Sequence, residues 1–137
     1  MPNTKAVGVA YSDPEFESVT VTGPITGTTV SVTGALNGTM LDLNAPVIKT
    51  ASFTLADTEN FVVCNGAGSI TVTFPSAAAS TGRVVWIKTL AAQTVVSASS
   101  NVKPIGTNTA GTAILAASAG ANAMLVCDGT DWVIMTS

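Results

Sequence analysis

The stretch Ala51 to Lys88, ASFTLADTENFVVCNGAGSITVTFPSAAASTGRVVWIK, constrains the fold more than any other part of the chain. It holds an apolar run, Phe61-Val62-Val63-Cys64, then a turn signal, Asn65-Gly66-Ala67-Gly68, then Ile70 to Phe74 with apolar residues at every second position. A period of two puts Ile70, Val72 and Phe74 on one face of a strand. Two β-rich runs joined through Asn-Gly predict a β-hairpin. Pro75 ends the second strand because it has no N–H to give to a ladder. Beyond the small-residue loop Ala77 to Gly82, Arg83-Val84-Val85-Trp86-Ile87-Lys88 reads as a third strand, four apolar residues between two cations. Such a strand is expected to be covered on both faces.

The C-terminal residues repeat this design. Val126-Cys127-Asp128-Gly129 aligns with Val63-Cys64-Asn65-Gly66, and Val133-Ile134-Met135-Thr136 with Ile70-Thr71-Val72-Thr73. Asn-Gly and Asp-Gly are the best turn formers, so convergent turn chemistry explains the match as well as duplication does. Either way the chain is expected to close with a hairpin.

Thirteen of the 137 side chains are charged, five cationic and eight acidic, while 47% of residues are apolar. A typical soluble domain carries about 25% charged residues. A chain this poor in charge is expected to hide much of its outside against partners, as an obligate assembly component. The span between Lys103 and Asp128 is free of charge, but Pro104, Gly106, Gly111 and Gly120 interrupt it, which argues against a transmembrane helix. Asp13, Pro14 and Glu15 follow too soon after Ala6 to Ala10 for a signal peptide, so synthesis and retention in the cytosol, or release by lysis, is expected. Cys64 and Cys127 are then expected to be buried free thiols, and their spacing is no metal signature.

Two regions are expected: residues 1–47, an extended arm with a short repeat, and residues 48–137, a compact body. Residues 1–17 are too short and too poorly patterned to build a core. Val7, Val9, Tyr11 and Phe16 nevertheless supply apolar anchors around Asp13 and Pro14, which suits an arm laid along a partner. Lys5 against Asp13, Glu15, Glu17 and Asp42 gives residues 1–47 a charge of −3, the whole net charge of the chain. The neutral body and acidic arm make nucleic acid an unsuitable partner, since it needs a basic face.

Between Ser18 and Thr39, VTVTGPITG recurs as VSVTGALNG at a period of 11. Val19, Val21 and Ile25 match Val30, Val32 and Leu36. One copy buries almost nothing, so such units need stacking neighbours or other chains. Asp42 to Pro46 reads as a linker. In the body, strands are expected near 50–55, 60–64, 69–74, 83–90, 93–98, 112–117, 122–127 and 131–136, with at most a helical turn over Ala116 to Ala123. Short strands at this spacing predict an all-β β-sandwich or small jelly-roll-like barrel.

The chain has no histidine, which removes Ser-His-Asp triads and His-based metal sites. Asp13, Glu15 and Glu17 alternate without a calcium-loop pattern and read as a solvated acidic face. Asp57 and Glu59 sit in the apparent turn Ala56 to Asn60, where turn formation explains them. No enzyme activity, metal or cofactor is expected. Trp86 and Trp132 lie inside apolar strands, which favours core or subunit-interface packing over sugar stacking.

The segment VGVAYSDPEFESVTVTG resembles the opening of structural proteins of tailed bacteriophages. SFTLADTENFVVCNGAGSITVTFPSA and the closing LVCDGTDWVIM resemble β-domains of phage head-decoration, head-fibre and tail-fibre proteins. The resemblance implies a homotrimeric virion protein exposed on the capsid exterior after synthesis in the host cytoplasm. It implies a decoration (cement) protein whose partner is the major capsid protein, with Val7, Val9, Tyr11, Asp13, Pro14 and Phe16 as the capsid-contact arm. Val19, Val21, Ile25, Val30, Val32, Leu36, Trp86 and Trp132 would then serve trimer or core packing. The second reading is a head- or tail-fibre tip that binds a host receptor or surface glycan. Two repeat copies make a collar rather than a shaft, which favours the first.

Overall fold

The computed structural model describes residues 43–137 and, ahead of them, Thr22, Gly23 and Thr33. The chain divides into two units, Met1–Thr39 and Met40–Ser137, and the ten strands belong to the second. The arm and, apart from Thr22, Gly23 and Thr33, both repeat copies lie outside the described residues.

Ten strands occur among the described residues: β1 (Val47–Lys49), β2 (Phe53–Thr54), β3 (Phe61–Cys64), β4 (Ile70–Thr73), β5 (Val84–Thr89), β6 (Val95–Ser97), β7 (Val102–Lys103), β8 (Ala113–Leu115), β9 (Asn122–Cys127) and β10 (Trp132–Thr136). They form a six-stranded sheet, in the order β1-β3-β5-β9-β10-β7, and a four-stranded sheet, β2-β4-β6-β8. The all-β class and eight of the ten strand positions follow the sequence pattern. Neither sheet closes into a barrel.

The pairing corrects the expected hairpin at Asn65-Gly66. β3 and β4 lie in different sheets, and the chain alternates between sheets from β1 to β6. β1 runs parallel to β3 and β3 to β5, while β2 runs parallel to β4 and β4 to β6. Three two-strand rungs therefore stack in one direction, each strand of one sheet serving as the crossover that parallel pairing in the other requires.

The physical reason lies in the backbone at the corner. A two-residue type I′ turn needs positive φ at both central residues. Among the described residues positive φ is confined to Asn44, Gly82, Gly106, Gly120 and Gly129, so neither Asn65 nor Gly66 adopts it. Gly66 serves close approach instead: a Cβ there would lie 2.7 Å from the Thr50 carbonyl oxygen and 3.2 Å from Ile70 Cδ1. Its N–H donates to Oε1 of buried Gln93 at 2.9 Å, tying this corner to the next rung. Asn65 N–H donates to the Lys49 carbonyl and Leu90 N–H to the Cys64 carbonyl, which carries the ladder past the strand ends.

The expected closing hairpin forms. β10 pairs antiparallel with β9, Trp132 opposite Cys127, and Gly129 takes the left-handed conformation at φ 95°. Asp128 Oδ1 accepts from the N–H groups of Thr130 and Asp131, so the turn is set by its own side chain. β9 also pairs antiparallel with β5, and β8 with β6, so the direction of winding reverses in both sheets. The helical turn allowed over Ala116 to Ala123 is absent, and a short 3₁₀ turn occurs at Ala77–Ala79 instead.

The core lies between the sheets. Val62, Val85, Ile87, Leu125 and Trp132 come from the larger sheet, and Ile70, Val72, Val95 and Leu115 from the smaller. Each buried aliphatic side chain contributes about 1.5–3 kcal/mol. Trp132 stacks on Phe74 with ring centroids 4.7 Å apart. Cys64 and Cys127 are free and buried, and burial pushes the Cys64 thiol up to about 11. Thr89 Oγ1, also buried, donates to the carbonyls of Ser118 and Ala121.

Candidate interaction surface

Alternation along each strand of the larger sheet sends every second residue into the core and the remainder outward. β5 shows it most clearly. Val85, Ile87 and Thr89 are fully buried, whereas Val84 and Trp86 are 45% and 40% exposed. This corrects the expectation that β5 is covered on both faces: the second sheet covers one face only.

The outward residues form cross-strand rows. In one, Phe61 lies opposite Trp86 and Trp86 opposite Met124. In the next, Ile48 lies opposite Val63, Val63 opposite Lys88 and Lys88 opposite Asn122. A third sets Val84 against Val126 and Val126 against Val133. Ile48 and Met135 are among the most exposed large apolar side chains described. The smaller sheet provides a comparison within the same molecule. Its outward positions are Thr54, Thr71, Thr73, Val96 and Ala113, a face rich in hydroxyl groups. Both faces suit strands, but only the smaller sheet's suits water.

Pro46, Phe61, Val63, Trp86 and Lys88 line an open cleft of about 310 Å³ on the apolar face. Lys88 forms no ion pair among the described residues, in contrast to the other three cations there. Lys49 Nζ sits 2.6 Å from Glu59 Oε1, and Arg83 Nη1 sits 3.5 Å from Asp57 Oδ1. Lys103 Nζ lies 3.0 Å from Asp128 and 3.2 Å from Asp131.

A second open cleft, about 470 Å³, is lined by Asp57, Pro75, Ala79 and Ser80 to Arg83. Arg83 Nη2 donates to the carbonyls of Ala56 and Glu59, so its guanidinium is occupied in holding the 56–59 turn. Glu59 accepts from Lys49 Nζ and the Ala56 N–H. Burial would raise the Glu59 pKa, but these hydrogen bonds and the charges of Lys49 and Arg83 outweigh it and hold it below the ordinary carboxylate range. Asp57 and Glu59 thus act in a turn, as their sequence context indicates.

Asp128 is held down to about 2, chiefly by the N–H groups of Asp131 and Thr130 and then by Lys103. Its folded pKa lies below its unfolded one, so its contribution to stability is complete above about pH 4 and is lost as pH falls through about 2. Asp128→Asn keeps a turn acceptor but removes the titration. Melting temperature followed from pH 5 to pH 2 is expected to fall less steeply in this variant than in the wild type, and identical slopes would contradict the assignment.

Of the residues singled out in the sequence, Val7, Val9, Tyr11, Asp13, Pro14, Phe16, Val19, Val21, Ile25, Val30, Val32 and Leu36 lie outside the described residues. The two tryptophans, treated alike in the sequence, separate: Trp132 is a core residue and Trp86 lies on the outer face. Sequence reasoning missed Ile48, Phe61, Val63, Met124 and Met135. For all but Ile48 the signal is apolar residues at both parities of FVVC, MLVC and WVIM; Ile48, in the three-residue β1, has no such signal. No family model, curated protein or solved structure matches the chain.

Proposed function

We propose that the protein is a structural component of a bacteriophage particle, a decoration protein that binds the capsid exterior as a homotrimer and reinforces it. The observation that carries this reading is the contrast between the two outer faces, one hydroxylic and one apolar, in a chain with only thirteen charges. A surface of that kind serves assembly rather than solvation. The resemblance of the N-terminal segment and the hairpin region to phage virion proteins supplies the context, with the major capsid protein as partner. No catalysis, metal, nucleic acid or membrane enters this reading.

Attachment is multivalent. Residues 1–17 carry apolar anchors and most of the net negative charge, and three such arms on one trimer gain avidity from effective concentration although each alone binds weakly. Pro14 biases Asp13 away from helix, which suits an extended path. Deleting residues 1–17 is expected to leave a folded trimer and to abolish its co-sedimentation with undecorated capsids. Unchanged capsid affinity in the truncated protein would move the contact surface elsewhere.

A further inference from the structure

We infer that the outer face of the six-stranded sheet, centred on Trp86, is the surface through which copies of this chain associate. The inference rests on the trimer reading above and assigns it a place. Five strand spacings of about 4.8 Å and strands of two to six residues give a footprint of roughly 24 by 15 Å, on the order of 350 Å² in projection. Side-chain relief brings this toward the scale of the about 800 Å² of accessible surface that each partner contributes to a standard interface.

Breadth selects the occupant. A docked helix is about 10 Å wide and a single added strand about 5 Å, so either would leave more than half of this face wet. In a trimer the same face of each copy turns toward the three-fold axis and packs against parts of the matching faces of both other copies, so its whole width is covered. Trp86, flanked by Phe61 and Met124 in register, supplies the kind of large aromatic anchor that dominates interface energetics. Charge agrees with this choice. Lys88 stands in a row toward one margin of the face, where an interface rim tolerates a hydrated cation. The hydroxylic face of the smaller sheet remains outside and keeps the assembly soluble.

The test compares Trp86→Glu with Thr71→Glu, a charge added to the opposite sheet, by light scattering and analytical ultracentrifugation across protein concentration. Trp86→Glu is expected to raise the dissociation concentration at least about tenfold with an unchanged far-UV spectrum, and Thr71→Glu to leave it as in the wild type. Hydroxyl-radical footprinting of the wild-type protein needs no variant: Trp86, Met124 and Met135 should be protected at high concentration and modified on dilution. Equal modification at both concentrations, or a Trp86→Glu trimer as tight as wild type, overturns the assignment while the trimer reading stands. A wild-type protein that is monomeric at tens of micromolar overturns both.

Discussion

Trp132→Ala is expected to lower the unfolding free energy by about 3–5 kcal/mol, the largest effect of any single substitution considered for this chain. Trp132 is fully buried and is the largest such side chain described. It stands opposite Cys127 on β9 and Val102 on β7, and its ring stacks on Phe74, which follows β4 of the other sheet. One side chain therefore joins both sheets to the closing hairpin. Truncation leaves a cavity lined by β-strands, which cannot collapse into it as readily as loops would. Domains of this size hold about 5–15 kcal/mol in total, so the variant should lose a large share of its stability. Trp132→Phe should cost less than half as much, because the indole Nε1 finds no hydrogen-bond partner among the described residues and phenylalanine keeps most of the buried ring without that donor. Urea denaturation at one fixed protein concentration measures both. A loss under about 1 kcal/mol for Trp132→Ala would contradict the described core.

Gly66→Ala should destabilise by about 1–3 kcal/mol, while Gly68→Ala, two residues away, should be neutral or stabilise by about 0.4–1 kcal/mol. At Gly66 the new Cβ would press on the Thr50 carbonyl oxygen, a backbone atom that cannot rotate aside, and on Ile70 Cδ1. The corner would have to move, and with it the hydrogen bond from Gly66 N–H to Gln93. At Gly68 a Cβ meets nothing within 4 Å, and the residue has no positive φ, so alanine mainly reduces the freedom of the unfolded chain. Chemical denaturation of the two variants side by side decides it. Equal stabilities would mean that Gly66 is not packed against the preceding rung.

The contrast between Gly66 and Gly129 shows how far local sequence reaches. Asn65-Gly66 and Asp128-Gly129 are nearly the same turn signal between similar apolar strands. Asp128-Gly129 forms the hairpin, with Gly129 at φ 95°, and Asn65-Gly66 forms a corner between sheets. Nothing in either dipeptide tells them apart. At the corner, the N–H groups of Asn65 and Gly66 reach Lys49 and Gln93, residues 16 and 27 positions away. Once those partners take the donors, the tight turn has no advantage left to offer.

Local rules determined a good part of this protein from sequence. Period-two alternation in Ile70 to Phe74, turn residues at Asp128-Gly129 and proline at 75 depend only on near neighbours, and they placed eight strands and the closing hairpin. β1 and β7, at three and two residues, have no alternating neighbours to reveal them, whereas the equally short β2 sits in the alternating run Ser52-Phe53-Thr54-Leu55. Tertiary structure alone decided direction and partner, parallel stacking of β1, β3 and β5 in place of hairpin pairing, because crossover pairing is settled by contacts many residues apart. It also decided which apolar face is the core. FVVC and VVWI are apolar at both parities, so the sequence marks both faces of β3 and β5 as unsuited to water, but only the position of the second sheet separates Ile87, sealed inside, from Trp86, turned outward.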